Sequence, residues 1–165
     1  IRWKHPERGN ISPALFIPIA EDANLITDLG EWVLRKACQE AATWPGKMKV
    51  AVNVSPIQFA SDTLPQLISS ALADSGLPPG RLELEITESV FLQDGADTDK
   101  MFAELKKLGV RLALDDFGTG YASLSYLGGD VFLTLTAQLA SGGASNFAPV
   151  TGLPPPRPRP STIAI

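Results

Sequence analysis

Two adjacent aspartates, Asp115 and Asp116, stand in the middle of LALDDFGTGYASLSY, residues Leu112–Tyr126. Apolar and small residues run straight into the paired carboxylates. A glycine-rich run follows at once: Phe117, Gly118, Thr119, Gly120, Tyr121. A strand that ends in acids and opens into such a loop can build a site. The strand fixes the carboxylates, and the glycines let the backbone approach a ligand. Side chains alternate along a strand, so both acids reach one pocket only where the chain is already turning. Their mutual repulsion is relieved by a divalent cation. Three further oxygen donors stand upstream: Asn53, at the end of KVAVNV, and Glu85 and Glu88, in RLELEITES.

The elements that must position these groups alternate. Residues 1–20 carry three prolines and a glycine, which predicts a structured loop with a short helix at its end. The abrupt start at Ile1-Arg2-Trp3 suggests a strand cut just upstream. Glu21–Thr43 reads as one long helix with Leu25, Ile26, Leu29, Trp32, Val33 and Ala37 on its apolar face, Gly30 as a mild weak point and Pro45-Gly46 as its stop. Cys38 lies on or beside that face as a core thiol. Lys49–Val54 reads as a buried strand and Leu64–Ser75 as an amphipathic helix closed by Gly76. Arg81–Thr87 reads as a strand with Leu82, Leu84 and Ile86 on one face and Glu83 and Glu85 on the other. Asp97–Leu108 reads as a helix ended by Gly109, and Val110–Leu114 as the third strand. This order implies right-handed parallel βαβ units, whose ligands sit at the carboxyl ends of the strands. That rule selects Asn53, Glu85 with Glu88, and Asp115 with Asp116. An all-oxygen set suits Mg²⁺, Mn²⁺ or Ca²⁺ rather than zinc.

Each group also has a plainer reading. Asn53 can bond turn backbone, Glu85 can sit in a salt bridge, Glu88 can cap the following segment, and Asp115 and Asp116 can be a helix cap and a solvated neighbour. Their convergence on successive strand ends favours a site over four separate structural roles.

The bulk numbers bound the rest. The chain has 165 residues, 44% hydrophobic and 19% charged, so it is globular in composition and suits one domain or part of a larger one. A net charge of −4 argues against a basic surface for DNA. The single cysteine fits a reducing, cytoplasmic setting. No run of about 18 apolar residues predicts a membrane span, and no secretory leader is evident. The first residue is not Met, so the chain begins mid-protein or was processed. After Leu127 the composition shifts. Only Asp130, Arg157 and Arg159 are charged, and six of the 14 prolines fall between Pro149 and Pro160. Residues 1–127 therefore read as one domain and 128–165 as a divergent Gly/Pro-rich, irregular tail. Val131–Leu139 reads as a strand by itself. PPPRPRP fits an SH3-type groove or, more simply, a spacer.

RWKHPERGNISPALFIPIAE, the NVSP turn, LELEITES and LALDDFGTGYASLSYL, in this order and spacing, resemble successive blocks of the EAL-domain cyclic di-GMP phosphodiesterases of bacteria. The resemblance covers residues 1–127. It implies a partial (β/α) TIM-barrel-like fold with parallel strands, and hydrolysis of cyclic di-GMP to linear pGpG with two Mg²⁺ or Mn²⁺ ions. It implies Asn53, Glu85, Asp115 and Asp116 as metal ligands, the three acids as catalytic, Arg2 as a phosphate contact and Glu88 as a stabiliser of the DDFGTG loop. As partners it implies cyclic di-GMP and upstream sensor or GGDEF-type modules, and it allows a homodimer. In the family a Glu-Ala-Leu triplet precedes the position of Ile1, and a lysine-bearing strand and later barrel strands follow the block that ends at Leu127. Neither stands here, so the chain is expected to be truncated at both ends and inactive as it stands, with the tail a product of another reading frame. The readings are then an enzyme domain, a degenerate module that binds cyclic di-GMP or a protein without turnover, and a non-functional remnant.

Overall fold

The structure, a computed structural model, describes residues 1–87, 89–90, 95–115 and 133–136. It opens with an antiparallel hairpin of β1 (Trp3–His5) and β2 (Gly9–Ile11), closed by Gly9 at φ 69°. Helix α1 (Pro13–Asp22) and helix α2 (Ile26–Ala42) follow. Strand β3 (Val50–Val54), a single turn α3 (Pro56–Phe59) and helix α4 (Leu64–Ser75) come next. Then come β4 (Leu82–Thr87), α5 (Gly95–Leu108), β5 (Arg111–Asp115) and β6 (Leu133–Thr136). β3, β4, β5 and β6 form one parallel sheet in that order. Strand, helix and neighbouring parallel strand recur, which is the βαβ arrangement expected from the alternation of patterns.

The core lies between one face of this sheet and helices α2, α4 and α5. β4 supplies Leu82, Leu84 and Ile86, all at 0% exposure, while the intervening Glu83, Glu85 and Thr87 are half-buried on the other face. Ala37, Cys38 and Ala41 of α2, Ile68 and Ala71 of α4 and Leu105 of α5 pack on the same side. Burial pushes the Cys38 thiol up to about 11 from its ordinary 9. The Arg81 guanidinium donates to the carbonyls of Ala41 (2.7 Å), Met48 (2.7 Å) and Trp44 (3.4 Å), and so ties the end of α2 to the start of β4.

Four expectations change. The predicted helix over Glu21–Thr43 is two helices. The chain breaks at Ala23–Leu25, where Asn24 takes φ 56°, a left-handed conformation that an Asn tolerates and a helix interior does not. The break rotates the apolar stripe. Leu25 and Trp32 are both 58% exposed, and the buried set is Ile26, Leu34, Ala37, Cys38 and Ala41. The opening 20 residues carry the short helix expected at their end, but a hairpin stands before it in place of a loop. Pro13 stands at the helix start, where no donor is needed, and Pro18 lies on an exposed face. The segment read as a strand by itself, 131–139, includes β6, which pairs with β5 in the sheet.

Gly30 is the fourth change. It is not a weak point but a close-approach site, since a Cβ there would overlap the side-chain amide of Gln58. Gln58 is 7% exposed and forms a capping box with Ser55: the Gln58 amide N–H donates to Ser55 Oγ (3.3 Å), and the Ser55 N–H donates to Gln58 Oε1 (3.2 Å). Gly30→Ala is therefore expected to destabilise the fold by about 1–3 kcal/mol through overpacking, although helix propensity alone predicts a gain of about 1 kcal/mol. Urea unfolding gives the sign directly. At pH 8 the native chain is expected to react with a thiol reagent far more slowly than the unfolded chain. The protonated Cys38 favours the folded state, and that stability is expected to fall as pH rises from about 9 to about 11.

Candidate functional site

Parallel pairing places Asn53 opposite Glu85, and Glu85 opposite Ala113, on one rung across β3, β4 and β5. Asn53 Nδ2 donates to Glu85 Oε2 at 3.2 Å. The side chain of Asn53 is exposed and that of Glu85 half-buried. The pairing follows from strand period. Val52 and Val54 enter the core, so Asn53 between them must face the other way, as Glu85 does between Leu84 and Ile86. Asp115 is the last residue of β5, and its backbone is in register with Thr87 and Thr136. The backbone thus brings three of the expected ligand positions to the same carboxyl end of adjacent strands. Asp116 and Glu88 lie outside the described residues.

Arg2 immediately precedes β1. It lines a cleft of 910 Å³ together with Asn53, Ser55, Gln58 and Thr87. The lining of that cleft is mostly apolar, with residues such as Ile17, Ile26 and Val33 of the two helices. The lining thus joins one cation, Arg2, one acid, Glu21, and the Asn53 amide to an apolar surface that suits flat apolar rings. Two lining residues were missed from sequence. Thr87, whose hydroxyl lies 2.7 Å from that of Ser89, belongs to the same strand end as Glu85. Gln58 was readable, because S-x-x-Q before an apolar residue is a capping-box pattern.

The donor set fits part of a hard-cation shell. One carboxylate and one amide meet at a strand end, both with oxygen donors of the kind that Mg²⁺, Mn²⁺ and Ca²⁺ prefer. Among the described residues no group of three or more His, Cys, Asp or Glu could hold a metal by itself. Asn53 and Glu85 are thus a corner of a site rather than a closed cage. The Asn53–Glu85 bond is expected to add little to folding: a double-mutant cycle with Asn53→Ala and Glu85→Ala should give a coupling of about 0.5–1.5 kcal/mol by urea unfolding. A coupling several times larger would mark the pair as a structural bond.

Comparison with known proteins bears on the family and the fold. The family model described as the EAL domain matches residues 1–129. A Sinorhizobium fredii protein, y4lL, is 54% identical over 126 residues, 76% of this chain and 15% of the relative. The bifunctional diguanylate cyclase/cyclic di-GMP phosphodiesterase MucR of Pseudomonas aeruginosa is 41% identical over 131 residues, 77% of this chain and 19% of the relative. A solved structure of the PaMucR phosphodiesterase in complex with c-di-GMP superposes with a TM-score of 0.73 at 42% identity, over 76% of this chain and 53% of that one. The chain therefore spans less than a quarter of these full-length relatives and about half of that solved chain. With the parallel sheet in the order β3-β4-β5-β6 and the family match over residues 1–129, this chain belongs to the EAL-domain family.

Proposed function

We propose that this chain is part of a cyclic di-GMP phosphodiesterase domain, and that its strand ends carry part of a two-metal site. The observation that carries the reading is the Asn53–Glu85 pair, held on one rung beside the strand that ends at Asp115. In this reading Asn53, Glu85 and Asp115 hold one divalent cation and Asp116 helps to hold a second, Mg²⁺ or Mn²⁺. Bound there, two such ions supply a hydroxide nucleophile and offset the charge that develops in an in-line displacement at phosphorus. The residues of the chain do the rest. The Asn53 amide donates to Glu85 and fixes its orientation. Arg2, which lines the cleft, meets a substrate phosphate, and the apolar lining takes a base. Glu88 steadies the DDFGTG segment. MucR joins cyclase and phosphodiesterase activities in one protein, which supports a GGDEF-type cyclase module as a companion; sensor modules, a homodimer and a cytoplasmic location belong to the same proposal. Among the described residues no helix is long and apolar enough to cross a membrane.

A second reading rests on one fact: no lysine follows Lys107. The lysine that the resemblance implies has no counterpart, and a single well-placed electrostatic group is worth about 3–4 kcal/mol in the transition state. The 165-residue chain is thus proposed to bind the cyclic dinucleotide without turning it over, as a degenerate module. Incubated with cyclic di-GMP and Mg²⁺ or Mn²⁺, it is expected to yield no linear pGpG. It is expected to gain thermal stability with the ligand, less so as Arg2→Ala. Product formed by the parent and lost in Glu85→Ala would show that the lysine is dispensable. A thermal midpoint unmoved by the dinucleotide would remove the binding reading and leave a non-functional remnant.

A further inference from the structure

Below the Asn53–Glu85 rung, the same face of the sheet carries a second tier that the reaction does not use. Glu83 stands two residues before Glu85, about 6.6 Å lower along the strand. Its Oε2 accepts from Arg111 Nε at 3.2 Å and lies 3.7 Å from Lys49 Nζ. The side chain of Glu83 is only 17% exposed, whereas the acids of the other ion pairs are 47%, 61% and 91% exposed. This is therefore not an ordinary surface pair. Alternation puts Lys49, Ala51 and Asn53 on one face, with Glu83 and Glu85 beside them and Arg111 and Ala113 on the next strand. Ala51 and Arg111 flank Glu83 on its rung, and Asn53 and Ala113 flank Glu85 on the rung above. Glu83 pairs with both Lys49 and Arg111.

We infer that Glu83 is a positioning residue: it holds Lys49 and Arg111 on the lower tier and so keeps two positive charges away from the oxygen donors one rung above. The inference rests on the proposed cation site at Asn53 and Glu85. The three groups of the lower tier together carry one net positive charge. Removing the Glu83 charge raises that to two and frees both cations to pair with Glu85. Removing the Arg111 charge neutralises the tier. Charge, not shape, then sets the order of cation affinity.

The test is Mn²⁺ binding to the 165-residue chain at low salt, read from the paramagnetic resonance signal of free Mn²⁺, with thermal unfolding recorded beside it. Glu83→Gln is expected to weaken binding about tenfold, in the range typical of groups that orient metal ligands. Arg111→Gln is expected to bind at least as tightly as the parent, and Glu83→Gln with Arg111→Gln to return to the parent value. Raising the salt should shrink these differences. A merely structural tier predicts the opposite: Arg111→Gln would weaken binding as much as Glu83→Gln, and the pair would show no recovery. That result overturns the inference, as does a Glu83→Gln chain that binds Mn²⁺ like the parent. If Glu83→Gln does not fold, Arg111→Gln decides alone, with weaker binding overturning the proposal and equal or tighter binding supporting it. A parent that binds no Mn²⁺, or binding untouched by Glu85→Ala, overturns the cation-site reading itself, and the Glu83 role falls with it.

Discussion

The period of two along β4 is the constraint on which the rest depends. Leu82, Leu84 and Ile86 are fully buried, and Glu83 and Glu85 alternate with them. A slip of one residue would put two carboxylates into the apolar layer and three large aliphatic side chains on the face of the site. Each fully buried aliphatic is worth about 1.5–3 kcal/mol relative to exposure, so the correct register is enforced by the core and not by the polar groups. The Asn53–Glu85 contact is a consequence of that enforcement. It needs no strong bond of its own to persist.

The same logic divides the molecule into a face that stabilises and a face that is free to do chemistry. The helix side holds the aliphatic cluster, the buried thiol of Cys38 and the Arg81 clamp on the end of α2. The opposite side holds an exposed amide, a half-buried carboxylate and a tier of ion pairs. The cleft beneath Arg2 adds a third environment. It is lined by α1 and α2 and joins the apolar stripes of those helices to the polar strand end.

Two places show where local reading falls short. Between Glu21 and Thr43 the apolar residues recur at helical spacing almost without interruption. The break at Asn24 is decided by a backbone that turns α1 back over the hairpin, where Trp3 meets Phe16 edge-on at 5.7 Å. Gly30 is the converse. Its low helix propensity is a local defect, but the side chain that needs the space, Gln58, lies in a different element 28 residues on. No periodicity in either segment carries that information.

By itself, the order of residues determined the alternation of strands and helices, the faces of β4, and Asn53, Glu85 and Asp115 as the groups at the strand ends. These are consequences of side-chain period and of the rule that parallel strands present their carboxyl ends to ligands. The resemblance of LELEITES and DDFGTGYASLSYL also named the family to which the chain belongs. The tertiary structure alone decided which groups meet. It paired Asn53 with Glu85 at hydrogen-bonding distance, put Arg2 into the same cleft as Asn53, and gathered Glu83 of β4, Arg111 of β5 and Lys49, just before β3, into one cluster. Contacts between residues about 30 or more positions apart depend on strand register and helix packing, and those are set by the burial of the whole core rather than by any pattern local to the residues that touch.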